Sequence, residues 1–106
     1  MTLQDVRKIP TFQTRALAED AKDSPETLAY LVNCLNRMYA GDYGEIDAED
    51  TAANNTELAD GEGRILARYK KAHALKDDIY INCYFSESNP DNLDFNNCMF
   101  LYCSEY

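Results

Sequence analysis

The chain reads as a small α+β domain in which two helices pack with a three-stranded antiparallel meander. Two observations predict the helices. Capped runs at about 24–40 and 47–59 each end at glycine, and the first carries apolar residues at three- and four-residue spacing. A third predicts the sheet: from Arg64 onward the apolar period falls to two. A length of 106 residues suits one domain with one core.

Residues 1–23 are expected to form an N-terminal arm or a short helix, outside a single α+β domain over 24–106. Leu3, Val6 and Ile9 recur every third residue until Pro10 interrupts. Phe12, Ala16 and Leu17 fit a short helix with Glu19, Asp20 and Lys22 on its wet side. In the first main helix Ser24 is a good N-cap, Pro25 suits the first position, and Glu26 complements the positive end. Leu28, Leu31, Val32, Leu35, Met38 and Tyr39 form its apolar stripe, and Gly41 supplies the stop. Asp42–Ile46 is a connector. Asp47 caps the second helix, Ile46 is placed to staple it, and Gly61 and Gly63 end it. Its apolar face, Ala52, Ala53, Leu58 and Ala59, is thin enough to predict a surface helix.

Three strands follow at about 64–72, 78–85 and 97–103. Ile65, Ala67 and Tyr69 alternate with Leu66, Arg68 and Lys70; Ile79, Ile81 and Cys83 with Tyr80, Asn82 and Tyr84; Cys98, Phe100 and Tyr102 with Met99, Leu101 and Cys103. The connections, Ala72–Asp77 and Ser86–Asn97, are short and favour antiparallel neighbours.

Charge is sharply segregated along the chain. Residues 41–62 hold eight carboxylates and no base, whereas 63–76 hold five bases and no acid. Residues 77–106 add six acids and no base, for a net charge of −9. This balance argues against direct nucleic-acid binding and against docking on anionic membranes, since both need Lys and Arg. No apolar run is long enough to span a bilayer, and the N-terminus lacks an apolar signal core, so the expected location is the cytoplasm. Cys34, Cys83, Cys98 and Cys103 are then expected to be reduced, and none has C-x-x-C spacing.

The acidic segment supplies the candidate partner-binding residues Asp42, Glu45, Asp47, Glu49, Asp50, Glu57, Asp60 and Glu62. One reading is a solvated, solubilising surface. The sharper one is a carboxylate array standing in for nucleic-acid phosphates in a partner's basic channel. Tyr43, between two glycines in that segment, is the best interface tyrosine. A divalent-cation site ranks below both, because the spacing does not follow the EF-hand loop. No cofactor motif and no nucleophile–base pattern occurs, and His73 is the only histidine.

Residues 35–69, LNRMYAGDYGEIDAEDTAANNTELADGEGRILARY, resemble a group of small proteins carried by plasmids, phages and other mobile elements of bacteria. Leu35 and Asn36, the turn Gly41-Asp42-Tyr43-Gly44, Glu49-Asp50, Asn54-Asn55, Gly63-Arg64-Ile65-Leu66 and Tyr69 carry it. Ser104-Glu105-Tyr106 is similar to the group's usual ending. Such proteins carry labels linking them to restriction–modification systems. A methyltransferase domain would need a larger α/β sheet and a glycine-rich cofactor turn. The aromatic, cysteine-rich run FNNCMFLYCSEY also departs from the Thr- and Val-rich ending of the group.

Together these features predict a mobile-element inhibitor of a host defence nuclease, of anti-CRISPR or anti-restriction type. It would act in a bacterial cytoplasm through an acidic, DNA-mimicking surface without metal or cofactor. The alternative is an accessory module that self-associates through its sheet edge or Tyr-rich strands. Third is a small enzyme using carboxylates.

Overall fold

The structure is a computed structural model describing residues 1–106. Its elements are α1 (Leu3–Val6), β1 (Thr11–Gln13), α2 (Arg15–Ala21), α3 (Pro25–Tyr39), α4 (Ala48–Asp60), β2 (Glu62–Tyr69), β3 (Ile79–Ser86) and β4 (Asn97–Tyr102). A 3-10 turn over Cys103–Glu105 ends the chain.

Both main helices begin and end where their caps predict. The Ser24 hydroxyl accepts from the Thr27 amide, and the Asp47 carboxylate accepts from the Asp50 amide at 2.8 Å. Gly61 closes α4 in the left-handed conformation, at φ 75°. The buried face of α3, however, is rotated from the expected stripe. Thr27, Leu31, Cys34 and Met38 face the core, whereas Leu28 and Val32 stay exposed.

The sheet has four strands in the order β1-β4-β3-β2, not three. The expected meander is its antiparallel part, β2-β3-β4. β1 adds in parallel to β4, pairing Phe12 with Met99. Residues 1–23 are therefore a docked part of the fold rather than an arm. Val6, Leu17 and Ala21 are fully buried there.

One face of the sheet is the core. Ile65, Ala67, Tyr69, Ile79, Ile81, Cys83, Phe85, Cys98, Phe100 and Tyr102 pack against the helices. The Met38 sulfur lies 3.8 Å from Cys83 Sγ. Cys83 and Cys98 are register partners across β3 and β4 and form a disulfide, contrary to the expected reduced state. Cys34 and Cys103 are free. The opposite face, with Arg64, Leu66, Arg68, Tyr80, Asn82, Tyr84, Met99 and Leu101, carries no helix and is half-buried or exposed.

The docked N-terminus gives a direct test. Leu17→Ala should lower unfolding free energy by about 2–5 kcal/mol in urea titrations, as for other fully buried leucines. An undocked arm would leave the midpoint unchanged.

Candidate interaction surface

The acidic segment is mounted on the outer edge of β2. An edge strand exposes alternate amides and carbonyls, which invite pairing with another chain. Here those of Leu66 and Arg68 are occupied from within. The Asn54 side chain accepts from the Leu66 amide at 2.9 Å and donates to the Leu66 carbonyl at 2.8 Å. Two residues along, the Arg68 amide donates to the Tyr43 carbonyl at 3.0 Å, and the Glu45 amide donates to the Arg68 carbonyl at 2.7 Å. α4 and the preceding turn thus replace a fifth strand. Self-association through this edge, one form of the alternative reading, has no open backbone groups at Leu66 and Arg68 to use.

The turn is built to make that approach. Gly44 sits at φ 71°, where a Cβ would collide with the Arg68 carbonyl. Asp42 Oδ1 accepts from the Gly44 amide, and Asp42 Oδ2 accepts from Arg37 Nε at 2.7 Å. The Arg37 guanidinium stacks over the Tyr69 ring at 4.7 Å, and the Tyr69 hydroxyl donates to the Asp42 carbonyl at 2.6 Å. Burial, and then the Asp42 charge, push the Tyr69 phenol well above its ordinary value. The Arg37 hydrogen bond, then the Gly44 amide, hold the Asp42 carboxyl below the usual aspartate range.

Tyr43 does not belong to a surface. It is 7% exposed and packs in the core, so its expected role as an interface tyrosine is corrected. The turn through Gly41 and Gly44, both at positive φ, buries it while Asp42 stays exposed.

The carboxylates divide into three kinds. Asp42 and Asp47 hold backbone, and Glu57 lies over Gly63, where only a missing side chain leaves room. Glu62 accepts from Ser86 Oγ at 3.1 Å and from Ser88 Oγ; these two bonds, the Ser88 one first, hold its carboxyl low. Glu45, Glu49, Asp50 and Asp60 are exposed and accept no side-chain hydrogen bond. The middle of α4 carries no acid. Asp50 and Glu57 are seven residues apart, so the acids form two clusters separated by roughly 10 Å of helix rise.

The basic run does not neutralise them. Of the eight carboxylates only Asp42 has a cation within 4.0 Å, and that cation is Arg37. Arg68 pairs with Asp78 at 3.2 Å, Lys76 with Asp20 at 3.0 Å, and Arg64 lies over the Tyr106 ring at 5.7 Å.

The lone histidine and the free cysteines lie apart. His73 lies in an exposed turn with its ring against Tyr30, 5.9 Å away, and it bonds to no cysteine. Burial raises the thiols of both Cys34 and Cys103, the wrong direction for a nucleophile. No three His, Cys, Asp or Glu side chains come close enough to hold a metal ion. No helix is long and apolar enough to cross a membrane. No protein-family model, curated protein or solved structure matches the chain.

Asn54, which positions this surface, is the residue whose role sequence reading missed. It shares a helical face with Thr51 and Leu58, both half-buried, and that spacing was the available signal.

Two outcomes follow from this geometry. Asn54→Ala strands the Leu66 amide and carbonyl and should cost about 1–3 kcal/mol in chemical denaturation, whereas a solvated Asn would cost almost nothing. For Asp42, the folded carboxyl titrates below the unfolded one. Its contribution is therefore present above roughly pH 4 and fades as pH falls further. Asp42→Asn should lose less stability than the parent between about pH 4 and pH 2, read from thermal midpoints at stepped pH; parallel losses would remove the Arg37–Asp42 account.

Proposed function

We propose that the chain is a mobile-element inhibitor that binds a host defence nuclease, of CRISPR or restriction type, through the acidic ridge of α4. The observation that carries this reading is charge without partners. Seven of eight carboxylates lack a cation within 4.0 Å, although five bases follow in the next fourteen residues. Such a ridge attracts a basic surface over a distance set by ionic strength, about 8–10 Å at physiological salt. A nucleic-acid channel is the basic surface that an acidic protein of this size fits, because its Lys and Arg are already spaced for phosphates. The resemblance of residues 35–69 to mobile-element proteins supports a host defence protein as the owner of that channel.

Binding needs the ridge to be rigid, and the β2 edge provides that rigidity. The inhibitor would then act by occupancy, excluding nucleic acid sterically and electrostatically. No group on the ridge is required to react.

A second reading is self-association through the uncovered sheet face. Phe12 and Tyr84 are exposed there, and Leu66, Met99 and Leu101 are only half-buried. Sedimentation velocity across a hundredfold concentration range distinguishes it from a monomeric inhibitor.

The test of the main reading uses four reversals that spare the fold: Glu45→Lys, Glu49→Lys, Asp50→Lys and Asp60→Lys together. Capture of a defence nuclease should be strong at low salt, weaken at high salt, be displaced by DNA, and fall at least a hundredfold in the quadruple variant. Capture that survives all four reversals and excess DNA would overturn the acidic-ridge mechanism.

A further inference from the structure

Beside the C-terminal end of α4 lies a cleft of about 230 Å³ that the ridge does not explain. Its walls are the rings of Tyr84 and Phe95, which remain 43% and 50% exposed. Phe85 and Gly63, which are register partners, complete its lining. Glu62, Ser86 and Asn89 supply its polar rim. We propose that this cleft is an arginine-binding pocket, in which a guanidinium from the partner protein lies against the Tyr84 and Phe95 rings and pairs with the Glu62 carboxylate.

The chemistry of the lining selects a flat cation. Aromatic faces attract cations, and guanidinium stacks on them while keeping its N–H groups for a carboxylate. Glu62 is prepared for that role. Ser86 and Ser88 both donate to Oε1, which fixes the carboxylate and leaves lone pairs on Oε2 for a further donor. No Lys, Arg or amino terminus lies within 4.0 Å of it. Arg64, the register neighbour of Tyr84, is turned onto Tyr106 instead.

The walls are held in place independently of any ligand. Asn96 is buried beside Phe95. Its Oδ1 accepts from the Ser86 amide at 3.1 Å, and its Nδ2 donates to the carbonyls of Asn89 and Asn92 at 2.6 and 3.0 Å. The surroundings suit a basic partner as well. The Glu87 amide donates to the Gly61 carbonyl, which joins this loop to α4; the Glu87 carboxylate pairs with the amino terminus at 3.0 Å, and Asp91 and Asp94 are exposed.

The partner assignment rests on the acidic-ridge reading, because an arginine-rich nucleic-acid channel would offer the side chain. The pocket itself is tested without the partner. N-acetyl-arginine methylamide is titrated into the full chain and followed by amide chemical shifts, with the lysine analogue and adenosine monophosphate as separate arms. Saturable shifts are expected at Gly63, Tyr84, Asn89 and Phe95, with the lysine analogue at least fivefold weaker. Glu62→Gln keeps acceptors for the serine hydroxyls and should weaken arginine binding at least tenfold. Phe95→Leu, on an exposed loop, should weaken it several-fold without loss of folding. Shifts spread over Glu45, Glu49 and Asp50, or affinity unchanged in both variants, would overturn the pocket. Adenosine monophosphate binding at the same residues in place of arginine would do so too. If arginine binds here but the four ridge reversals leave nuclease capture intact, the ridge reading fails and the pocket stands.

Discussion

Asn54 closing on Leu66 is the contact from which the rest of the surface follows. A polar side chain in the middle of a helix completes a backbone pair on the neighbouring strand, at 2.9 and 2.8 Å. The Gly44 turn repeats the device two residues further along, against Arg68. Together they use the hydrogen-bonding groups that make an edge strand sticky, and they fix α4 alongside the sheet rather than over one of its faces. Gly44, Asn54, Leu66 and Tyr69 each make or permit one of these contacts.

Mounting the helix at an edge has an electrostatic consequence. A helix packed over a sheet face brings its charges near those of the sheet, and the five bases of the β2 region would then screen it. At the edge, Glu45, Glu49, Asp50 and Asp60 stay exposed. Arg37, which reaches the segment, spends its charge on Asp42, and three of the five strand and turn bases, Arg68, Lys76 and Arg64, lie against Asp78, Asp20 and Tyr106. The net charge of −9 is therefore concentrated on the α4 ridge and the Glu87–Asp94 loop instead of being spread evenly. Salt should weaken such a surface more than it weakens the fold, because exposed charges are screened and the core is not.

The sequence made α3, α4 and the three antiparallel strands legible because each carries its own local signal. Ser24-Pro25, Asp47 and Gly61 mark helix ends, and period-two alternation marks the strands. β1 was not legible. Three residues paired in parallel leave no periodicity, and their partner β4 lies more than eighty residues away. The rotation of α3, which leaves Leu28 and Val32 wet, is set by its packing against other elements and not by its own apolar period. Tyr43 looked accessible because its neighbours are acids and glycines, yet the turn that frees Asp42 buries the ring between them. The Cys83–Cys98 disulfide needed the strand register, which the loop sequence alone does not specify. Of the candidate surface, the acids were read directly, whereas the cleft between Tyr84 and Phe95 required the course of the Ser86–Asn97 loop.

The central claim, that side-chain and turn hydrogen bonds close the β2 edge and hold the ridge, is tested most directly by native-state amide exchange at Leu66 and Arg68. Both amides point away from β3, toward α4 and the turn. The account predicts strong protection at both, comparable to the inner strand β3, because their acceptors are fixed parts of the fold. Exchange at Leu66 and Arg68 as fast as in an open loop, with β3 still protected, would contradict it.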